Sequence, residues 1–301
     1  MVGLGFTIVA TRRRVASALS VGALLWCLLA GVAASQVRVE HDVEYLEAGR
    51  REKADLYLPE ESQASDRALR PGVVIIHGGG WTGGDKGAAR EQNIGNTLAS
   101  HGYVCLSINY LLQPKEGERI WPRNLHDCKT AVRWLRANAE RLRIDTKHIG
   151  VIGGSAGGHL ALMVGLTDAQ AGLDPSGPLG EYSCGVQAVI DLYGPIADTP
   201  QWTRTLVGQD CAQAPELCRQ VTPLSHLDPR DPPVLILHGT ADTTVAVRDS
   251  EVLANALKQA GVRHQLVIIP DAPHTFHLQP KQRDLRPLVL EFLNQHLKPA
   301  N

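Results

Sequence analysis

Six short apolar runs, separated by helix-length amphipathic stretches, constrain this chain more than any other feature. Val73-Val74-Ile75-Ile76 contains no polar residue, and residues 104–108, 149–152, 186–192, 234–237 and 266–269 resemble it. A strand with one wetted face alternates, whereas a largely apolar strand is buried on both faces. Helical periodicity falls between the runs at about 88–101, 124–142, 157–166, 247–261 and 285–298. Strands alternating with helices predict an α/β fold with a mostly parallel central sheet flanked by helices. Residues 37–59 break the rhythm. Their alternating stretches, Val37-Arg38-Val39-Glu40 and Ala54-Asp55-Leu56-Tyr57-Leu58, predict an N-terminal antiparallel hairpin. Two Pro- and Gly-rich stretches, about 167–185 and 195–232, read as small loop-rich cap insertions at the edge of the sheet rather than a second domain.

The first 35 residues stand apart from this pattern. Arg12, Arg13 and Arg14 precede an apolar run over 15–34, and Val32-Ala33-Ala34-Ser35 offers a small-residue cleavage site. That is the layout of a secretory signal peptide over 1–35, leaving a single domain over 36–301. The competing reading is an uncleaved membrane anchor, because the run is long enough to span a bilayer. Cleavage implies a secreted or periplasmic protein with no stable membrane association. It removes three positive charges from a chain whose 30 Lys+Arg and 31 Asp+Glu give −1, leaving about −4. No basic excess remains to grip phosphate backbones, so nucleic acid is not an expected partner.

Cleavage also removes Cys27. Cys105 and Cys128 fall in strand and helix patterns as buried thiols, while Cys184, Cys211 and Cys218 lie in the loop-rich stretches. An oxidising compartment permits a disulfide among the last three. Cys211 and Cys218 are closest in sequence, but spacing alone does not set the pairing.

In open α/β sheets ligands bind beyond the carboxyl ends of the strands. After 149–152 comes Gly153-Gly154-Ser155-Ala156-Gly157, a G-x-S-x-G turn between a strand and a helix. Such a turn thrusts the serine hydroxyl outward, and its glycines allow close backbone approach. After 73–76 comes His77-Gly78-Gly79-Gly80-Trp81, whose glycines expose N–H groups suited to a developing oxyanion. His77 reads as a turn-organising residue, and Trp81 as a site wall or as packing. A nucleophilic serine needs a base and an orienting carboxylate. Asp242 follows the run at 234–237, and His274 follows the run at 266–269. The chain order Ser155, Asp242, His274 places each residue after a different strand. Asp191 is a rival acid and His277 a rival base, while Asp271 reads as a turn residue and Asp127 as a buried or capping carboxylate. Asn109-Tyr110, just after a strand, either lines the floor of the site or ends the strand. The four histidines 77, 159, 274 and 277 lack the ligand spacing of a metal site.

Together these blocks resemble the α/β-hydrolase superfamily, and more narrowly secreted carboxylesterases related to hormone-sensitive lipase and to bifunctional feruloyl and acetyl-xylan esterases. The resemblance spans roughly 40–298. It implies Ser155 as nucleophile, His274 as general base and then acid, and Asp242 as its orienting partner. Gly79, Gly80 and Ala156 would supply the oxyanion-hole N–H groups, with no cofactor and no metal. His274 stands two residues before the aromatic Phe276, as that family places its histidine. The implied substrate is a small-molecule or polysaccharide ester, with acetyl or feruloyl groups on plant polysaccharide favoured by export. General short-chain esterase or lipase activity, arylformamidase, peptidase and a non-catalytic ligand-binding relative are the alternatives.

Overall fold

The computed structural model describes Met1 and residues 37–60, 68–177 and 179–298. The signal-peptide expectation for 1–35, with Cys27, falls outside the described residues. The fold is that of the compact unit Ser35–Asn301. Eight strands form one sheet: β1 (Arg38–Val43), β2 (Ala54–Leu58), β3 (Arg70–Ile76), β4 (Val104–Ile108), β5 (Ile144–Gly154), β6 (Ala188–Leu192), β7 (Val234–Gly239) and β8 (His264–Ile269). Their order is β1-β2-β4-β3-β5-β6-β7-β8. The β1–β2 and β2–β4 pairings are antiparallel, and every pairing from β4 to β8 is parallel. The hairpin is therefore where the alternating pattern placed it.

Strand alternation sorts the core into two layers. Val74, Ile76, Leu106, Val151, Val189 and Ile236 join one cluster, packed under α2 (Arg123–Ala137), α4 (Ala156–Leu166) and α7 (Val247–Ala260). Val73, Ile75, Cys105, Ile152, Ile190 and Leu235 face the opposite cluster, under α1 (Ala89–Ala99) and α8 (Arg286–Leu297). A strand apolar on both faces is what this sandwich requires. Helix α4 is buried along nearly its whole length, which explains why its sequence is apolar all round.

Two expectations need correction. The helix over 124–142 breaks at Asn138 into α2 and the single turn α3 (Ala139–Leu142). The cap insertions are less loop-like than their composition, since they contain α5 (Pro200–Val207) and α6 (Pro215–Val221). Pro200 and Pro215 open these helices at positions where the missing N–H would have no intrahelical partner. A Cys211–Cys218 disulfide ties the segment together, while Cys105, Cys128 and Cys184 are free and buried. Among the described residues no helix is long and apolar enough to cross a membrane.

Candidate active site

Ser155 sits at the turn from β5 into α4 with φ 58° and ψ −126°, a conformation that non-glycine residues seldom adopt. The turn is possible because both flanking glycines lack a Cβ. One added at Gly153 would lie 2.1 Å from the Gly157 carbonyl, and one at Gly157 would lie 2.1 Å from the Ile76 carbonyl. Ser155 N–H donates to the Leu192 carbonyl at 2.8 Å, anchoring the strained residue to β6.

His274 Nε2 lies 2.9 Å from Ser155 Oγ, and His274 Nδ1 lies 2.6 Å from Asp242 Oδ2. Residues 119 and 32 positions apart thus form one hydrogen-bonded line across the carboxyl ends of β5, β7 and β8. The Asp242 side chain is fully shielded from solvent, and His274 keeps 13% exposure. Asp242 Oδ1 accepts from the N–H groups of Thr244 and Val245 at 2.8 and 2.9 Å, so backbone donors stabilise its charge.

The glycine loop after β3 faces this line. Gly79 (φ 115°) and Gly80 (φ 61°) share with Ser155, Ala156, Trp81 and Trp202 a cavity of about 520 Å³. Ala156 is the first residue of α4, where an N–H lacks an intrahelical acceptor and the helix dipole is positive. His77 braces the loop from below, with Nδ1–H donating to the Gly78 carbonyl at 2.7 Å and its ring stacked on Tyr110. Burial holds it near pKa 4 and therefore neutral. Trp81 is both wall and packing, since it is fully buried and lines the cavity. Trp202 of α5 also lines the cavity, in an edge-on contact with Trp81.

The rival residues fall elsewhere. Asp191 is fully buried at the end of β6, where Oδ1 accepts from Gly194 N–H at 2.8 Å and Oδ2 has no partner among the described residues. His277 Nδ1 accepts from Gln279 N–H instead of meeting Ser155. Asp127 pairs with Arg50 and accepts from Leu111 N–H, a structural carboxylate. Asp271 occupies a turn with φ 57°. Asn109 and Tyr110 do not line the cavity, although Tyr110 Oη donates to the His77 carbonyl behind the glycine loop. Among the described residues, no three His, Cys, Asp or Glu side chains group to hold a metal.

Besides Trp202, three residues at the site escaped the sequence reading. His238, at the end of β7, places Nε2 3.2 Å from Asp242 Oδ2. Arg90 lines the cavity and Tyr193 packs edge-on against His274. Only His238 had a local signal, lying four residues before Asp242; the other two meet the site through contacts far apart in sequence.

Sheet order, strained serine turn and the Ser155–His274–Asp242 line together define a protein of the α/β-hydrolase fold. The family model for BD-FAE matches residues 54–257, more than half of the chain, and the chain belongs to that family. Esterase LipC of Mycobacterium tuberculosis is 32% identical over 221 residues, 69% of this chain and 53% of that one. The probable carboxylic ester hydrolase LipM of the same organism is 29% identical over 247 residues, 78% of this chain and 55% of that one. The chain thus spans about half the length of these curated relatives. A truncated carbohydrate esterase from gut microbiota superposes with TM-score 0.73 at 27% identity, covering 87% of this chain and 96% of that one. Esterase Est2 of Thermogutta terrifontis, solved with propionate bound, gives TM-score 0.70 at 26% identity over 89% and 97%.

Proposed function

We propose that the protein is a secreted serine carboxylesterase that hydrolyses carboxylic esters through an acyl-enzyme. The observation that carries this reading is the hydrogen-bonded line from Ser155 Oγ through His274 to Asp242. In it, Ser155 Oγ attacks the ester carbonyl while His274 Nε2 takes the serine proton. Asp242 holds Nδ1–H, fixes the tautomer and stabilises the imidazolium. Gly79, Gly80 and Ala156 offer N–H groups to the oxyanion, each donor contributing on the order of 3 kcal/mol. The alcohol leaves with the proton from His274, and water then repeats the step to release the acid.

For substrate, we favour acetyl or feruloyl esters on plant polysaccharide. The carbohydrate esterase neighbour supports this, as does the sequence resemblance. A second reading, a short-chain esterase of small soluble esters, is favoured by the aromatic walls Trp81 and Trp202 and by the propionate-bound neighbour. Export is supported by the leader-like sequence of residues 1–35 and by the Cys211–Cys218 disulfide, which suits an oxidising compartment.

Release of acetate and ferulate from acylated xylan, run beside hydrolysis of an aryl acetate, tests both levels, with Ser155→Ala as control. The favoured reading expects both substrates to turn over with the parent chain alone. Aryl acetate turnover without release from xylan would leave the small-ester reading. Equal activity in Ser155→Ala would overturn the mechanism.

A further inference from the structure

Arg90 of α1 carries a guanidinium that the chemistry above does not use, yet it lines the cavity beside Ser155 with only 12% of its side chain exposed. Nε and Nη2 both donate to Glu91 Oε1, at 2.8 and 2.5 Å, and Glu91 is itself 1% exposed. Nη1 donates to Tyr193 Oη at 3.0 Å. Tyr193 Oη donates in turn to the Phe276 carbonyl at 2.6 Å, two residues beyond His274. The Tyr193 ring also meets His274 and Phe276 edge-on, with centroids 4.8 and 4.6 Å away.

The same guanidinium presses on two backbones. A Cβ added at Gly154 would stand 2.6 Å from Nη1, and one at Gly78 would stand 3.1 Å from Nη2 and 3.1 Å from the Ser155 Cβ. Gly154 precedes Ser155, and Gly78 precedes Gly79. One side chain therefore abuts the glycine loop after β3 and the serine turn after β5, and reaches the His274 loop after β8 through Tyr193. Burying a guanidinium is costly even when it is paired. An apolar side chain would fill the same wall without that cost, so the charge and its fork of donors call for another explanation.

We propose that Arg90 is a positioning residue, locking the glycine loop, the serine turn and the His274 loop into one reacting geometry through Tyr193. This rests on the esterase reading above. The three segments leave different strands, and a misplacement of 1 Å among reacting groups costs about 10²-fold. Its hydrogen bonds run to Glu91 and Tyr193 rather than to Ser155 or His274, so it sets where the reacting groups stand without carrying the proton.

The test compares the full chain with Arg90→Ala, Tyr193→Phe and the double variant, using an aryl acetate. Arg90→Ala lowers kcat by about 10²-fold while KM stays within about 2-fold. Millimolar guanidinium chloride restores part of the lost rate and sodium chloride does not, because the vacated space opens on the cavity. Tyr193→Phe keeps the ring and lowers kcat in the same sense, and the double variant is little worse than Arg90→Ala because both act through one link. An unchanged kcat in Tyr193→Phe overturns the proposal, even if Arg90→Ala fails to fold. A loss confined to KM also overturns it, since that marks a substrate contact. An inert parent chain would instead remove the esterase reading, and this proposal with it.

Discussion

Asp242 Oδ2 is shared by two imidazoles: His238 Nε2 lies 3.2 Å away and His274 Nδ1 lies 2.6 Å away. The tautomer of His238 follows from its neighbours. Nε2 faces only acceptors, Asp242 Oδ2 and the Val245 carbonyl at 3.0 Å, so it carries the proton. Nδ1 then accepts from the Ser250 hydroxyl at 2.7 Å. Burial lowers the pKa of this ring, which keeps it neutral at pH 7. A neutral histidine therefore donates to the Val245 carbonyl and holds the same N–H edge 3.2 Å from the carboxylate that orients His274.

Removing that ring takes away an N–H group 3.2 Å from a buried carboxylate, a polar contact worth up to the ~1.5–3 kcal/mol of a hydrogen bond to a charged group. We expect His238→Leu to lower kcat at least about 10-fold with KM little changed. His238→Gln, whose amide can return a donor to the Nε2 position, recovers much of the rate. Steady-state kinetics on both variants decides the point, and equal rates for Leu and the parent would refute it.

Asp242→Asn addresses the orienting carboxylate itself. The amide presents N–H groups toward His274 Nδ1 and so favours the tautomer that cannot take the serine proton. We expect kcat to fall by about 10⁴-fold with the fold retained, checked by kinetics and circular dichroism. A loss below about 10-fold would move the role to another residue.

Asp191 gives the fold an unusual pH signature. Burial lifts its pKa to about 7, against the stabilising N–H of Gly194 and with the help of nearby Asp249. In the unfolded chain the group titrates near 3.9. Between those values the folded protein holds a proton that the unfolded chain has released, so this contribution to stability falls as pH rises from about 4 to 7. The full effect is on the order of 4 kcal/mol. His77 and His159, both held near 4 by burial, act in the opposite sense and lose stability as pH falls through that range. The comparison that isolates Asp191 is therefore Asp191→Asn against the parent chain. Urea unfolding at pH 5 and pH 8 should show the variant gaining on the parent by a few kcal/mol at the higher pH. Parallel stabilities at both values would contradict it.

Much of this architecture is written locally. Residues 104–108 announce β4 because a strand between two helical layers has to be apolar on both faces. Ser155, Asp242 and His274 are legible because each follows a strand, where the chain turns at the ligand-binding edge. The cap helices hid behind their prolines, which read as breakers although Pro200 and Pro215 stand at helix starts. Asn138 interrupts a periodicity that gives no warning of the break. Arg90 and Tyr193 are 103 residues apart and meet only once β5, β6 and α1 have assembled. No spacing rule reaches that far. Pairings of this kind emerge from tertiary packing and leave no periodic trace.

The most direct test of the account is covalent labelling of the whole protein with a fluorophosphonate, followed by mass mapping of the modified peptide. Ser155 Oγ, giving its proton to His274, attacks phosphorus and displaces fluoride from it, leaving a stable phosphonyl ester. We predict a single adduct on Ser155, absent in Ser155→Ala and strongly slowed in Asp242→Asn. A protein that stays unlabelled under conditions in which it hydrolyses an aryl acetate, or that labels at another serine, would contradict the assignment of Ser155.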